Sequence, residues 1–370
     1  VRPVRASVVS QKFHSNFFDF YPIIFYKTRT PVSTMKPQGP TGFSRMAPGN
    51  HAERGLSDRP GREAGEGGAL PKQVFIVYQM GKVASSSIVA ALSTVRGADV
   101  RHCHFLAPAS LKKAAERALD PMLSRFHYHH LSRQLLANLD CQRLIGRAGR
   151  GLERDTAVTL ISLSRDPLEW TRSYLVQDMP EFEPLLLRIA ALNGCGHFDL
   201  QGRIAYALGR MIACVATMFD ALGCVTRIAG VTHGELRQRC GIASEEEARI
   251  LKRLAMLFVR PHVWFRDELE ALLAAPLASF EPIGRHMHRK IEGPIRAFVL
   301  RYEDLEDNFA CLADHLGLPG LPPLARDNAS GAKAHAALVK AAFAASPEIE
   351  AIRRRSATNY ARFFGYVSEA

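Results

Sequence analysis

The sequence predicts an α/β fold in which a parallel β-sheet is covered by helices, and two observations lead to this expectation. Short runs of β-branched and aromatic residues at 74–78 and 157–163 have the composition of strands that are buried on both faces of a sheet. Segments with apolar residues at helical spacing alternate with such runs along the chain. Because ligands of these sheets bind beyond the carboxyl ends of the strands, we expect the functional residues in the loops that follow the two runs.

We expect residues 1–72 to be a disordered leader and residues 73–370 to form one α/β domain. Residues 37–72 are rich in glycine and proline and poor in large apolar side chains, a composition that cannot offset the entropy lost on ordering. Over the whole chain, 47% of the residues are hydrophobic and 23% are charged, as is typical of a globular protein. A sizeable core can therefore form after the leader.

The formal net charge of +12 indicates anionic partners, although the leader contributes about half of it. The remaining body is mildly basic, which suits a multiply phosphorylated nucleotide. Because the sequence lacks a basic stripe interleaved with aromatic residues, we expect no nucleic-acid binding.

Cysteine usage and hydropathy indicate the compartment. The seven cysteines are odd in number and contain no C-x-x-C pair, so neither a disulfide framework nor a zinc site is indicated. The apolar stretch 17–26 is interrupted by Asp19 and Pro22 and is too short to span a bilayer, so we expect no transmembrane segment. We predict a cytoplasmic protein, for which peripheral association with the inner face of the membrane is compatible. The oligomeric state is not indicated.

The first apolar run leads into a loop and then a helix, the arrangement that cradles an anion at a helix N-terminus. The loop spans 79–87, and the helix begins near Ser86, with serines where an N-cap is favoured. The next elements expected are a strand at 99–106, a helix at 109–119, and a helix at 132–139 that follows a histidine-rich segment at 125–131.

The second apolar run ends in Ser164-Arg165-Asp166-Pro167. We expect Asp166 to cap a helix that has Pro167 at its first position and runs to about Gln177. Apolar residues recur at helical spacing in 183–275, which predicts a largely helical insertion. A last strand at 297–301 precedes a helix that ends near Leu316.

The pair Gly81-Lys82 after a strand predicts an anion site in which backbone N–H groups and an ammonium face the ligand. The nucleoside-triphosphatase form of a P-loop reads G-x-x-x-x-G-K-[ST]. Here Ile76 stands where its first glycine belongs, and Val83 stands where its Mg²⁺-binding hydroxyl belongs. A kinase or ATPase is therefore disfavoured, whereas a group transfer that needs no metal remains compatible.

The run Lys82-Val83-Ala84-Ser85-Ser86 resembles the 5′-phosphosulfate loop of sulfotransferases, which typically reads K-x-G-T-T. Ala84 stands where that loop has glycine. The resemblance implies a P-loop-type fold and 3′-phosphoadenosine-5′-phosphosulfate (PAPS) as the co-substrate, used without a metal. The residues that it implies in binding PAPS at this loop are Gly81, Lys82, Val83, Ala84, Ser85, Ser86 and Ser87.

Sulfotransferases also bind the 3′-phosphate with an arginine at the end of a later strand and a serine eight residues further on. Arg165 and Ser173 have this spacing, so the resemblance implies that they hold the 3′-phosphate. The run 301–305 is similar to a segment that is common among sulfotransferases, and we interpret it as structural.

Four runs resemble a bacterial family named for capsular polysaccharide synthesis, and the resemblance spans roughly 73–370. They are Tyr78-Gln79-Met80-Gly81-Lys82-Val83-Ala84-Ser85-Ser86-Ser87-Ile88, His102-Cys103-His104-Phe105-Leu106, Arg165-Asp166-Pro167 and Trp264-Phe265-Arg266-Asp267-Glu268-Leu269. The family implies transfer of a sulfuryl group to a hydroxyl of a glycan or glycolipid, such as a capsular or cell-surface polysaccharide. The insertion at 183–275 would then lie on the acceptor side, and Trp264 and Phe265 are expected in the core.

Sulfuryl transfer needs a base for the acceptor hydroxyl and stabilisation of charge on the leaving phosphate. We assign the second role to Lys82. The base is expected in one of two histidine clusters, His102/His104 or His127/His129/His130. His129 resembles in position the base of cytosolic and heparan-type sulfotransferases and is slightly favoured, while His104 matches the histidine of the bacterial family. No third ligand has convincing spacing, so we expect no metal site.

Two alternatives remain open at this point. One is a catalytically inactive member of the family that binds the nucleotide or a glycan, and the other is a P-loop kinase. Dependence on Mg²⁺ would identify the kinase, and release of 3′,5′-bisphosphoadenosine would exclude a pure binding protein.

Overall fold

The computed structural model describes residues 72–81, 83–119, 125–153, 156–325 and 335–367. The predicted leader lies outside the described residues apart from Lys72, with which the first strand begins. Lys82 also lies outside them. The described residues form an α/β structure with a mostly parallel sheet, as the sequence predicts.

One mixed sheet forms the centre of the structure. Its strands are β1 (Lys72–Tyr78), β2 (Asp99–Cys103), β3 (Thr156–Ser164), β4 (Glu281–Gly284), β5 (Met287–Glu292) and β6 (Ile295–Arg301). They are ordered β2-β1-β3-β6-β5-β4. The first four strands in this order are parallel, and β5 and β4 are antiparallel at one edge. The carboxyl ends of the four parallel strands therefore lie together at one end of the sheet.

The order of the strands creates a crevice between β1 and β3. From β1 the chain passes to β2 on one side, and it then returns to the opposite side to form β3. At such a reversal the loops that follow the two central strands diverge to opposite faces of the sheet, and ligands bind between them. The register pairs Val77 with Ile161 and Ser164 with Arg301, so the loops after β1, β3 and β6 open at the same edge.

Helices cover the sheet and form a helical region beside it. In the described residues the α-helices are α1 (Ser85–Leu92), α2 (Pro108–Ala118), α3 (Arg125–Gly149), α4 (Pro167–Gln177), α5 (Met179–Leu192), α6 (Leu200–Leu222), α7 (His233–Cys240), α8 (Glu245–Trp264), α9 (Ala271–Leu273), α10 (Leu305–Leu316), α11 (Ala336–Ala345), α12 (Glu348–Arg355) and α13 (Asn359–Phe363). A π-helical turn, Phe265–Glu270, continues α8.

Helix α6 is the centre of the helical region. By length and composition alone it could cross a membrane, because an 18-residue window has a mean hydropathy of 1.4. Its apolar side, however, is buried against α5, α8, α11 and α12. The Asp199 carboxylate accepts a hydrogen bond from Gly202 N–H at its start, and Gly223, with φ 65°, ends it. In this structure α6 is a capped core helix.

The sequence correctly predicts three buried strands and the start of one helix. The runs at 74–78, 157–163 and 297–301 lie within β1, β3 and β6. The predicted start of α4 is confirmed, because Asp166 precedes it, Pro167 is its first residue, and the Asp166 carboxylate accepts the N–H groups of Leu168 and Glu169. Trp264 and Phe265 are buried, as expected.

Other expectations were wrong in detail. No serine caps α1, which begins at Ser85 after a left-handed Ala84. Strand β2 ends at Cys103, three residues before the predicted end. The helix expected at 132–139 is the middle of the 25-residue α3, which no proline interrupts. Strands β4 and β5 were not predicted because they are short, largely polar and only partly buried, and so lack an apolar run.

Candidate functional site

The β1–α1 loop turns sharply at two left-handed residues. Gly81 has φ 86° and Ala84 has φ 59° and ψ 25°. The Gly81 N–H donates to the Gln79 side-chain oxygen at 2.7 Å. Ala84 directly precedes α1, so the N–H groups of 85–87 lie in the first turn, where helix geometry provides no carbonyl partner within the helix. Such groups can bind an anion.

Helix α4, which follows the neighbouring strand β3, holds this loop in place. The indole N–H of Trp170, which is fully buried, donates to the Gly81 carbonyl at 2.9 Å. Behind Trp170 the guanidinium carbon of Arg260, on α8, lies 5.5 Å from the Trp170 ring centroid. Arg260 is only 5% exposed, so the structure buries a cation near the loop. Arg260 stands among apolar residues of α8, and the sequence pattern did not indicate that its side chain is buried.

Arg165 lies directly after β3, where the predicted site requires it. Its guanidinium carbon is 4.4 Å above the Tyr302 ring centroid, and the side chain is half-buried. The Tyr360 hydroxyl accepts from the Arg165 N–H at 3.0 Å and donates to the Arg165 carbonyl at 2.8 Å. The backbone of Arg165 is therefore held by α13, through a contact between residues 195 positions apart that the sequence pattern does not indicate.

Ser173 lies on α4, nearly two turns from Arg165, and its side chain is half-buried. It shares a face of the helix with Glu169, whose carboxylate forms an ion pair with Arg172. Trp170 of the same helix binds the β1–α1 loop. The structure thus brings the loop, Arg165 and the helix that carries Ser173 to one end of the sheet.

His102 and His104, at the end of β2, are both connected to Gln79. Because the Gln79 side-chain oxygen accepts from Gly81, its amide group is the donor to His102 Nε2 at 3.2 Å. The backbone carbonyl of Gln79 can only accept a hydrogen bond, so His104 Nδ1 is the donor across their 3.0 Å contact. A neutral His104 therefore carries its lone pair on Nε2.

The two rings differ in what they can do chemically. Burial lowers the pKa of His102 to about 4, and its Nε2 lone pair is engaged by Gln79. His104, which is 8% exposed, meets His102 edge to face at a centroid distance of 4.5 Å. The tautomer of His104 is the one that a general base requires at Nε2, whereas His102 fixes the Gln79 amide.

The second histidine cluster lies at the start of α3. The side chain of His129 is exposed, and the side chains of His127 and His130 lie outside the described residues. Of the predicted catalytic residues, the structure joins His104 to the β1–α1 loop through Gln79. It places His129 on a separate element, α3, and does not describe Lys82.

A buried glutamate, Glu268, binds the segment that follows His104. Glu268, in the π-helical turn, accepts from the Tyr78 hydroxyl at 2.6 Å and from the N–H groups of Leu106 and Ala107 at 3.0 and 3.1 Å. Burial raises the pKa of this carboxyl, and the hydrogen bonds from Ser110 and Tyr78 act in the opposite direction. Glu268 lies within the run 264–269, and nothing in that run indicates that its carboxylate is buried.

Within the residues that the structure describes, no group of three His, Cys, Asp or Glu side chains is arranged to hold a metal ion. Comparisons of the chain with protein-family models, with curated proteins and with solved structures found no match. The function is therefore inferred from the fold and from this site.

Proposed function

We propose that the protein is a PAPS-dependent sulfotransferase with a P-loop-type nucleotide site. The observation that carries the proposal is the left-handed Ala84 in the loop after β1, while Arg165 directly follows the neighbouring strand β3. Glycine adopts the left-handed backbone conformation more easily than any other residue, and the sulfotransferase loop has glycine at this position. The backbone of the loop thus supports the resemblance that the side chain of Ala84 weakens.

In this proposal the two ends of the nucleotide have separate sites. The N–H groups of 85–87 and the Lys82 ammonium hold the 5′-phosphosulfate, a role that the resemblance gives to Lys82. Arg165 and Ser173 hold the 3′-phosphate. Val83, which is buried and carries no hydroxyl, provides no ligand for Mg²⁺, which argues against the kinase alternative.

The chemistry is a single displacement at sulfur. The Nε2 of His104 takes the proton of an acceptor hydroxyl while the hydroxyl oxygen bonds to sulfur. As this bond forms, the bond between sulfur and the bridging oxygen breaks, and its electron pair stays on the 5′-phosphate of 3′,5′-bisphosphoadenosine. The Lys82 ammonium and the loop N–H groups stabilise this growing charge. His129 is the other candidate base, and we favour His104 because its tautomer and its link to the loop support this role.

The acceptor follows from the family that the sequence resembles. We propose a hydroxyl of a glycan or glycolipid, such as a capsular or cell-surface polysaccharide, sulfated in the cytoplasm or at the inner face of the membrane. The helical region α5–α9 would cover the acceptor.

The test is an assay of 3′,5′-bisphosphoadenosine release from PAPS, with and without glycan or glycolipid acceptors and without metal. We expect release that depends on the acceptor. Lys82→Ala should lower kcat about 10²- to 10³-fold, because it faces charge that grows only in the transition state. His104→Ala should lower kcat roughly 10²- to 10⁴-fold, while His129→Ala should change little. Phosphoryl transfer from Mg-ATP, or no release with any acceptor, would contradict the proposal.

A further inference from the structure

The end of α8 and the π-helical turn after it place two buried hydrogen-bonding side chains against the segment that carries His104. Trp264 ends the helix, and the π-helical turn Phe265–Glu270 follows directly. Trp264 and Glu268 are both fully buried. Turns of this kind often occur at functional sites. The contacts of the two side chains indicate the role of this turn.

The Glu268 carboxylate joins the ends of two neighbouring strands. One oxygen accepts from the hydroxyl of Tyr78, the last residue of β1, and from the N–H groups of Leu106 and Ala107 in the β2–α2 loop. The other oxygen accepts from the Ser110 hydroxyl. A buried carboxylate is costly unless several donors satisfy it, and these four donors do so. The carboxylate thus fixes the β2–α2 loop relative to β1.

Trp264 holds His104 itself. Its indole N–H donates to the His104 carbonyl at 3.3 Å, and its ring lies 5.0 Å from the Tyr78 ring, between centroids. His104 is therefore fixed at its carbonyl by Trp264 and, two residues later, at Leu106 by Glu268. Its ring in turn donates to the carbonyl of Gln79, the residue that follows Tyr78. Each contact sets His104 relative to the end of β1.

We propose that Glu268 and Trp264 are positioning residues that hold His104 in its Nδ1–H tautomer beside the β1–α1 loop. The bond from His104 to Gln79 forms only while the two backbones keep their spacing, and the bridge from Tyr78 through Glu268 to Leu106 sets that spacing. A loss of the bridge lets the ring move, and a displacement of about 1 Å in such a site costs on the order of 10²-fold in rate. The catalytic consequence rests on the proposed function, but the tautomer does not.

The first measurement needs no activity. NMR of ¹⁵N-histidine-labelled full-length protein reports the tautomer of His104, assigned by comparison with His104→Ala. We expect the Nδ1–H form in the wild type and a loss of this single form in Glu268→Ala. Glu268→Gln should keep it, because the amide oxygen can still accept from Tyr78, Leu106 and Ala107. Asp267→Asn is the matched control, since Asp267 pairs with exposed Arg266 in the same turn.

The second measurement uses the sulfuryl-transfer assay on the same variants. Glu268→Ala should lower kcat about 10- to 100-fold with the KM for PAPS unchanged, and Glu268→Gln should recover most of the loss. Trp264→Phe, which keeps an aromatic side chain and removes the hydrogen bond to the His104 carbonyl, should also lower kcat, by a smaller factor. It serves as the test if Glu268→Ala fails to fold.

The two measurements separate the two claims. A tautomer that changes in Glu268→Ala or Trp264→Phe supports the positioning role even if no sulfuryl transfer is found. If the wild type transfers the group and both variants keep its tautomer and kcat, the positioning role is wrong while the proposed function stands.

Discussion

Replacing Ala84 with glycine should stabilise the protein slightly, against the usual effect of glycine. Ala84 has φ 59° and ψ 25°, a left-handed conformation that costs an L-residue roughly 1–2 kcal/mol and costs glycine almost nothing. Glycine loses about 0.4–1 kcal/mol more chain entropy on folding, and the half-buried methyl contributes less than ~0.8 kcal/mol. The free energy of unfolding should therefore rise by about 0.5 kcal/mol.

Two alanines provide matched controls. Ala274 is also left-handed, with φ 50°, and is exposed and lies after α9, so Ala274→Gly should give a similar or larger gain without affecting nucleotide binding. Ala90 is exposed on α1, and Ala90→Gly should cost about 1 kcal/mol.

The assay is urea unfolding of the three variants and the wild type, together with a titration of 3′,5′-bisphosphoadenosine. Ala84→Gly should separate from Ala90→Gly by about 1.5 kcal/mol and should bind the nucleotide at least as tightly as the wild type. A loss of stability in Ala84→Gly equal to that in Ala90→Gly would refute the left-handed backbone at this position. It would also remove the observation on which the proposed function depends.

Two further predictions concern the loop anchor and the buried histidines. Trp170→Phe removes the donor to the buried Gly81 carbonyl, so the free energy of unfolding should fall by roughly 1–3 kcal/mol and the KM for PAPS should rise. If both values stay unchanged, this hydrogen bond contributes nothing to the loop. Burial lowers the pKa of His262 to about 3 and of His102 to about 4, so below about pH 6.5 the unfolded chain binds protons that the folded chain does not. Stability should be full above that pH and be lost as the pH falls, by at most about 1.4 kcal/mol per pH unit for each group. His262→Gln should flatten this dependence in pH-dependent urea unfolding, and an unchanged slope would contradict the assignment.

The parts of the fold that the sequence predicts are those encoded by neighbouring residues. Strands β1, β3 and β6 are buried on both faces, so each is a continuous apolar run that needs no knowledge of its partners. The start of α4 is equally local, because Asp166 caps N–H groups two and three residues away. The places of the β1–α1 loop and of Arg165 follow from the strands that precede them.

The parts that the sequence does not predict depend on distant contacts. Glu268 reads as one charge in a polar run, and only its partners 158 to 190 residues away show why it is buried. The link from Tyr360 to Arg165 is equally distant. The contact between His104 and the Gln79 backbone carbonyl is likewise made between different elements, so the spacing of the histidines could not predict it.

The measurement that tests the central claim most directly is a calorimetric titration, without metal, with 3′,5′-bisphosphoadenosine and with 5′-AMP. The two ligands differ only in the 3′-phosphate. Since hydrogen bonds to charged groups contribute about 1.5–3 kcal/mol, the wild type should bind the bisphosphate about 10- to 100-fold more tightly. Arg165→Ala should remove most of this difference and leave the affinity for 5′-AMP nearly unchanged. Equal affinities in the wild type, or tighter binding of Mg-ATP than of the bisphosphate, would contradict a PAPS site at the β1/β3 crevice.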